Sequence, residues 1–144
     1  MICCSSLVLF VGFAMPINYK IDKTKRLVLV EGEGKIGTND IIEHLRMLAN
    51  DPDYQSPMKK LVDYRRIEDI QISSAESLQI ASVKKELQKV FVAERCAFIS
   101  PGDLTFGTAR VHQSLLESSD IHTGVFRSEA EAIEWLEGAE KIQY

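Results

Sequence analysis

Four stretches of this sequence carry side chains whose type and spacing could do chemistry. Gly32-Glu33-Gly34-Lys35-Ile36-Gly37 matches G-x-G-x-x-G between a strand and a helix. In that setting glycines let a pyrophosphate approach a helix N-terminus. Glu31 and Glu33 oppose phosphate, Gly37 precedes the helix, and the strand before the motif belongs to a hairpin, so the segment reads as a glycine-rich turn. Cys96 would be a nucleophile with a base beside it, and His112 and His122 are the candidates. Their spacing brings neither against it, and a Cys inside an apolar strand reads as a small buried hydrophobe.

Asp63 closes a strand, where open α/β sheets collect ligands. Capping a following turn, or pairing with Arg65 or Arg66, are its competing roles. Residues 100–110 also follow a strand and open a helix, bringing Phe106 and Arg110 to its first turns. Gly107 inside that helix costs about 1 kcal/mol relative to Ala, which points to close backbone packing, or else to ligand approach. His44, His112 and His122 are scattered and no Cys or His pair has zinc-like spacing, so neither a metal nor a cofactor is expected.

The elements that must position these residues follow from periodicity. Residues 18–22 and 26–31 are β-rich runs around the polar Lys23, Thr24 and Lys25, a hairpin. Residues 40–50 repeat apolar side chains at helical spacing, with Thr38 or Asn39 as N-cap. Residues 60–64 form a short strand, and Ile67, Ile70 and Ile72 extend the region through a bend. Ser73-x-x-Glu76 is a capping box opening a helix whose apolar face runs to Phe91. Residues 95–100 are a strand, 101–118 a helix and 121–126 the last strand. Ser128-x-x-Glu131 is a second capping box, for a helix ending near Gly138. The order ββαβαβαβα implies right-handed parallel crossovers with an antiparallel edge from the hairpin.

Composition narrows the function. At 144 residues the chain is the size of one domain, and 45% apolar with 26% charged residues is a globular composition. A net charge of -4 gives no reason to approach nucleic acid, although Lys59, Lys60, Arg65 and Arg66 form a small basic cluster. Glu129, Glu131, Glu134, Glu137 and Glu140 make the last part acidic, and solvated faces explain both features. Three cysteines, two of them adjacent, cannot staple a secreted domain, so a reducing cytosol is expected. Residues 1–14 include an apolar run too short to cross a bilayer and lack a basic n-region. The simplest account is translation starting at Met15, with residues 1–14 a non-native or disordered extension and 15–144 the domain.

Leu61-Val62-Asp63-Tyr64-Arg65-Arg66-Ile67, with the Ser73-Ser74 helix start downstream, resembles the central segment of STAS domains, the fold of the sporulation anti-sigma-factor antagonist. With Asp103-Leu104-Thr105-Phe106-Gly107-Thr108-Ala109-Arg110, Val125-Phe126-Arg127 and Ala132-Ile133-Glu134-Trp135-Leu136, the chain is similar to the bacterial SpoIIAA-like branch over about residues 17–137. The resemblance implies one α/β domain, a mixed four- to five-stranded sheet with an N-terminal antiparallel hairpin and about four helices. It also implies kinship of fold with lipid-binding CRAL-TRIO domains and no known enzymatic activity. Antagonists of the sporulation type carry an Asp-Ser pair whose Ser is phosphorylated by a partner kinase. Here Gln71-Ile72-Ser73-Ser74 stands in its place, without the Asp.

The expected function is a non-enzymatic regulatory module that binds a protein partner through residues 65–77. The partner class includes a second copy as a homodimer, and excludes nucleic acid and a membrane span. The alternative is a carrier of an apolar small molecule or lipid between the sheet and the helices after Ser73 and Pro101; a small hydrolase or nucleotide-dependent enzyme comes third. Candidate binding residues are Asp63, Arg65, Arg66, Ser73, Ser74, Phe106 and Arg110, and no residue is assigned a catalytic role.

Overall fold

Alternation of Ile17, Tyr19 and Ile21 with Asn18, Lys20 and Asp22 gives the first strand one apolar and one polar face. This strand, β1 (Ile17–Asp22), pairs antiparallel with β2 (Leu27–Gly37). In the turn between them the Arg26 guanidinium donates to the carbonyls of Gln55 and Pro57, tying the hairpin to the loop before the next strand. The computed structural model describes residues 16–141. The apolar stretch 1–14, Cys3, Cys4 and the expected start at Met15 lie outside the described residues.

The remaining elements are α1 (Thr38–Ala49), β3 (Lys59–Gln71), α2 (Ser74–Glu86), β4 (Arg95–Ile99), α3 (Asp103–Leu115), β5 (His122–Phe126) and α4 (Glu129–Lys141). The sheet runs β1-β2-β3-β4-β5, with β2 to β5 parallel. Each crossover steps to the next strand in the same direction. Right-handed connections therefore stack α1, α2 and α3 on one face, where α1 packs on α2 and α2 on α3. After β5 the chain turns to the other face, and α4 lies over β4 and β5. The expected element order, the antiparallel hairpin and the mixed sheet, expected with four to five strands and built of five, are all present.

Two cores result. The larger, under α1 to α3, includes Val28, Val30, Leu48, Val62, Phe91 and Phe98; the smaller, under α4, joins Leu61, Ala97, Ile99, Ala132 and Leu136. α4 contacts β3, β4 and β5, and among the described residues no helix covers the sheet near β1 and β2 on that face.

Several local expectations differ. The glycine segment is strand rather than turn: β2 continues to Gly37, and Gly34 takes φ +75° at a register shift against β3. Gly32 is tightly packed: a Cβ there would lie 3.0–3.2 Å from the Ile36, Tyr64 and Ile67 side chains, which would have to shift to admit it. Gly37, not Thr38 or Asn39, is the α1 N-cap, and Asp40 Oδ2 accepts its N–H at 2.9 Å. β3 is one 13-residue strand instead of a short strand and a bend, because residues 66–71 pair with the extended β2. α2 stops at Glu86, short of Phe91, as the chain enters turns leading to Ala93 at φ 53°. α3 is shorter than expected at both ends, and α4 passes Gly138. Gly107 is exposed and a Cβ there would meet nothing within 4 Å, so close packing is not its role.

Candidate functional site

β1 pairs with β2 only up to Gly32, and β4 pairs with β3 only up to Asp63. The Glu33 N–H still donates to the Pro16 carbonyl at 2.9 Å, and beyond it, among the described residues, 34–37 and 67–71 pair with each other as a two-stranded parallel ribbon that continues β2 and β3. Ile36 and Ile70 turn one side of it into the core, while Arg65, Arg66, Glu68 and Gln71 are exposed. The ribbon leads to Ser73, the N-cap of α2. Its Oγ accepts the Glu76 N–H at 3.1 Å, and Glu76 Oε1 accepts the Ser73 N–H at 2.9 Å, the capping box read from the sequence. Ser74 is exposed on the first helical turn beside it, and Leu78, one turn on, is 56% exposed.

At the base of the ribbon, Asp63 and Arg65 meet. Arg65 Nε and Nη2 donate to Asp63 Oδ1 and Oδ2 at 2.9 and 2.8 Å, and Nη2 also reaches Glu129 Oε1 at 2.9 Å. Asp63 thus pairs with Arg65 rather than Arg66, and the hydrogen bonds from Arg65 hold its carboxyl below the usual carboxylate range. The same hydrogen bonds push the guanidinium pKa up. This chain of three charges borders a groove of about 310 Å³ on the sheet face that carries α4. Leu29, Leu61 and Ile99 form its floor, and Lys20 and Glu31 stand on the far side. Glu129 was hidden from sequence reasoning because it opens α4, far along the chain.

Phe106 and Arg110 belong to a separate group at the start of α3. Arg127 Nη1 donates to the Pro101 carbonyl at 2.9 Å and to Asp103 Oδ1 at 2.8 Å, and its guanidinium carbon lies 4.1 Å from the Phe106 ring centre, with that of Arg110 at 6.0 Å. Neither residue lines the groove beside Asp63.

The basic cluster of the sequence is dispersed: Lys60 is 3% exposed and faces the larger core, while Arg65 is consumed by its ion pairs. Around Lys60 lies a buried polar group that sequence reasoning missed. Lys84 Nζ pairs with Glu94 Oε1 at 2.7 Å and the Tyr54 hydroxyl donates to Glu94 Oε2 at 2.9 Å. Burial pushes the Glu94 carboxyl up, but Lys84 and Lys60 outweigh it and leave the group ionised. Burial, with the Lys84 charge, pulls Lys60 down to about 8. Cys96, beside them, is fully buried, and burial pushes its thiol up. Burial takes His112 down to about 3. An inert thiol and a neutral imidazole are core chemistry, not a nucleophile with its base.

Between the sheet and the helices after Ser73 and Pro101 the space is about 30 Å³, lined by Tyr64, Ile70, Ile80, Phe98, Ala109 and His112 among others. That holds about one water. At the glycine segment, the Asp40 carboxylate already occupies the α1 N-terminus where a pyrophosphate would sit.

The chain, a parallel sheet in sequential order with an antiparallel first strand and helices on both faces, has a SpoIIAA-like fold. A solved example is the protein of unknown function from the DUF3478 family, with a SpoIIAA-like fold, from Shewanella loihica PV-4. The two are 20% identical and match over 83% of this chain and 93% of that one, with a TM-score of 0.52. No family model and no curated protein matches the chain. Among the described residues no helix is long and apolar enough to cross a membrane.

Proposed function

We propose that this protein is a non-enzymatic, STAS-like module of the cytosol that acts by binding a protein partner. Its contact surface is the β2–β3 ribbon and the start of α2, residues 65–78. The observation that supports this reading is the ribbon itself. It continues β2 and β3 past their pairing with β1 and β4 and offers Arg66, Glu68 and Gln71 to solvent, and among the described residues no third strand pairs with it. Leu78, 56% exposed, adds apolar area that a partner could bury, next to polar groups that set register. Arg65 is paired with both Asp63 and Glu129, so its side chain is already ordered before a partner arrives, which lowers the ordering cost of binding.

The carrier reading has less support, because its chamber is filled by side chains. Affinity capture from lysate of the source organism with the tagged full chain tests the proposal, run beside Arg66→Glu and Leu78→Asp. The same protein should be recovered by the wild type and lost with both variants at unchanged melting temperature. Equal recovery by all three chains would count against the ribbon.

A further inference from the structure

Of the two edges of the sheet, β5 is blocked and β1 is open. On β5 the Gln113 side chain reaches across from α3 and donates to the Thr123 carbonyl at 2.8 Å, taking an acceptor that a further strand would use. The state of β1 follows from its register. Ile17 stands opposite Gly32, so Pro16 faces Glu33, whose N–H donates to the Pro16 carbonyl at 2.9 Å. Antiparallel pairs alternate between bonded and unbonded, which makes Asn18–Glu31, Lys20–Leu29 and Asp22–Leu27 the bonded pairs. Ile17, Tyr19 and Ile21 therefore turn their N–H and C=O groups away from β2, and among the described residues no strand pairs with them. Neither a proline nor a bulge within β1 blunts this edge.

Residues of an added strand that stand opposite Ile17, Tyr19 and Ile21 project their side chains to the same side of the sheet, towards α1. There a cleft of about 350 Å³ separates β1 from α1. Ile17, Tyr19 and Met47 line it together with Asp40, Glu43 and Asp51, and no described lysine or arginine does. Asp40 accepts the Gly37 N–H and Asp51 accepts the Tyr19 hydroxyl at 2.8 Å, whereas Glu43 is exposed and makes no hydrogen bond or ion pair among the described residues. The backbone edge supplies the affinity, and the carboxylates select the occupant. A second copy paired through its own β1 brings the same carboxylates up against these across the two-fold axis. Residues 1–14 hold no lysine or arginine to meet them. A basic segment of another protein satisfies both the free backbone groups and the charge.

We propose that β1 is a docking edge for an extended basic segment of a partner protein, added as a sixth strand with Lys or Arg side chains at alternate positions beside Glu43 and Asp51. This surface is separate from residues 65–78, and the inference stands whether or not the ribbon binds a protein.

The test is NMR titration of the labelled full chain with a capped peptide of about seven residues that alternates lysine and threonine. Saturable shifts should appear at the Ile17, Tyr19 and Ile21 amides. N-methylation of the lysine amides, which face β1, should abolish them, and N-methylation of the threonine amides, which face solvent, should leave them. The same peptide with glutamate for lysine should not bind. Glu43→Lys, an exposed substitution outside the strand, should weaken the lysine peptide about tenfold. The proposal is overturned by no saturable shift at these amides up to about 5 mM, by equal binding of the glutamate peptide, by equal effects of the two methylation patterns, or by unchanged affinity in Glu43→Lys. Shifts at the same amides on concentrating the protein alone, the mark of a second copy, also overturn it. So do contacts from residues 1–15 to Ile17, Tyr19 and Ile21 that persist at every peptide concentration.

Discussion

Replacing Lys60 by Met should stabilise the protein, although it removes a charge from the start of the central strand. The ammonium is 3% exposed, 5.9 Å from the Phe91 ring centre, and shares its surroundings with Lys84, whose own charge Glu94 already takes. Burial and Lys84 bring its pKa from 10.5 to about 8. The folded state therefore holds the Lys60 proton less tightly than the unfolded chain. Below pH 8 folding bears the full cost, about 3 kcal/mol. Between pH 8 and 10.5 the unfolded chain binds more protons, so stability contributed at this site rises with pH through that window. Met is close in volume and suits the same surroundings beside Phe91, so Lys60→Met should gain about 1–3 kcal/mol at pH 7, with the difference from wild type shrinking towards pH 10. Urea unfolding followed by the single tryptophan, Trp135, at pH 7 and pH 10 measures both quantities. A variant less stable than wild type at pH 7, with a difference that does not change by pH 10, would refute the reasoning.

Three further outcomes are expected. Glu94→Gln leaves two buried ammonium groups without their carboxylate and should cost about 3–5 kcal/mol in urea unfolding at pH 7. Gly107→Ala, on an exposed helical position where a Cβ meets nothing, should gain about 0.5–1 kcal/mol by thermal melting. Ser73→Ala should cost about 1 kcal/mol through loss of the N-cap, while Ser73→Asp stays near neutral for stability. Partner affinity measured on the same Ser73→Asp protein separates a cap from a phosphoswitch: binding as tight as wild type leaves Ser73 a cap alone.

The elements were legible where local chemistry writes them. Ser73 and Glu76 announce the start of α2 because both bonds of the box lie within three residues, and the alternation in β1 shows because that strand has one wet face. β3 was harder. It is central and covered from both sides, so Lys60, Leu61 and Val62 are all buried and the period-two signal vanishes. Lys60 then looked like one more surface charge beside Lys59. The glycines misled for a related reason: their use is a close approach at Gly32 and a register shift at Gly34, both set by β3, which is remote in the chain. Of the candidate site, Asp63 with Arg65 was readable as a local pair. Glu129, His44 facing Tyr19, and Glu94 between Lys84 and Tyr54 join distant segments, and nothing in one sequence marks such pairs.

The central claim is that the ribbon and the start of α2 engage a protein. Photo-crosslinking tests it most directly, with benzoylphenylalanine placed singly at positions 66, 71 and 117 of the full chain in cells of the source organism. Positions 66 and 71 lie on the exposed ribbon, and Glu117 is exposed just beyond α3. The account predicts one crosslinked protein shared by positions 66 and 71 and absent from 117. Crosslinking that is equal at all three positions, or confined to 117, would contradict it.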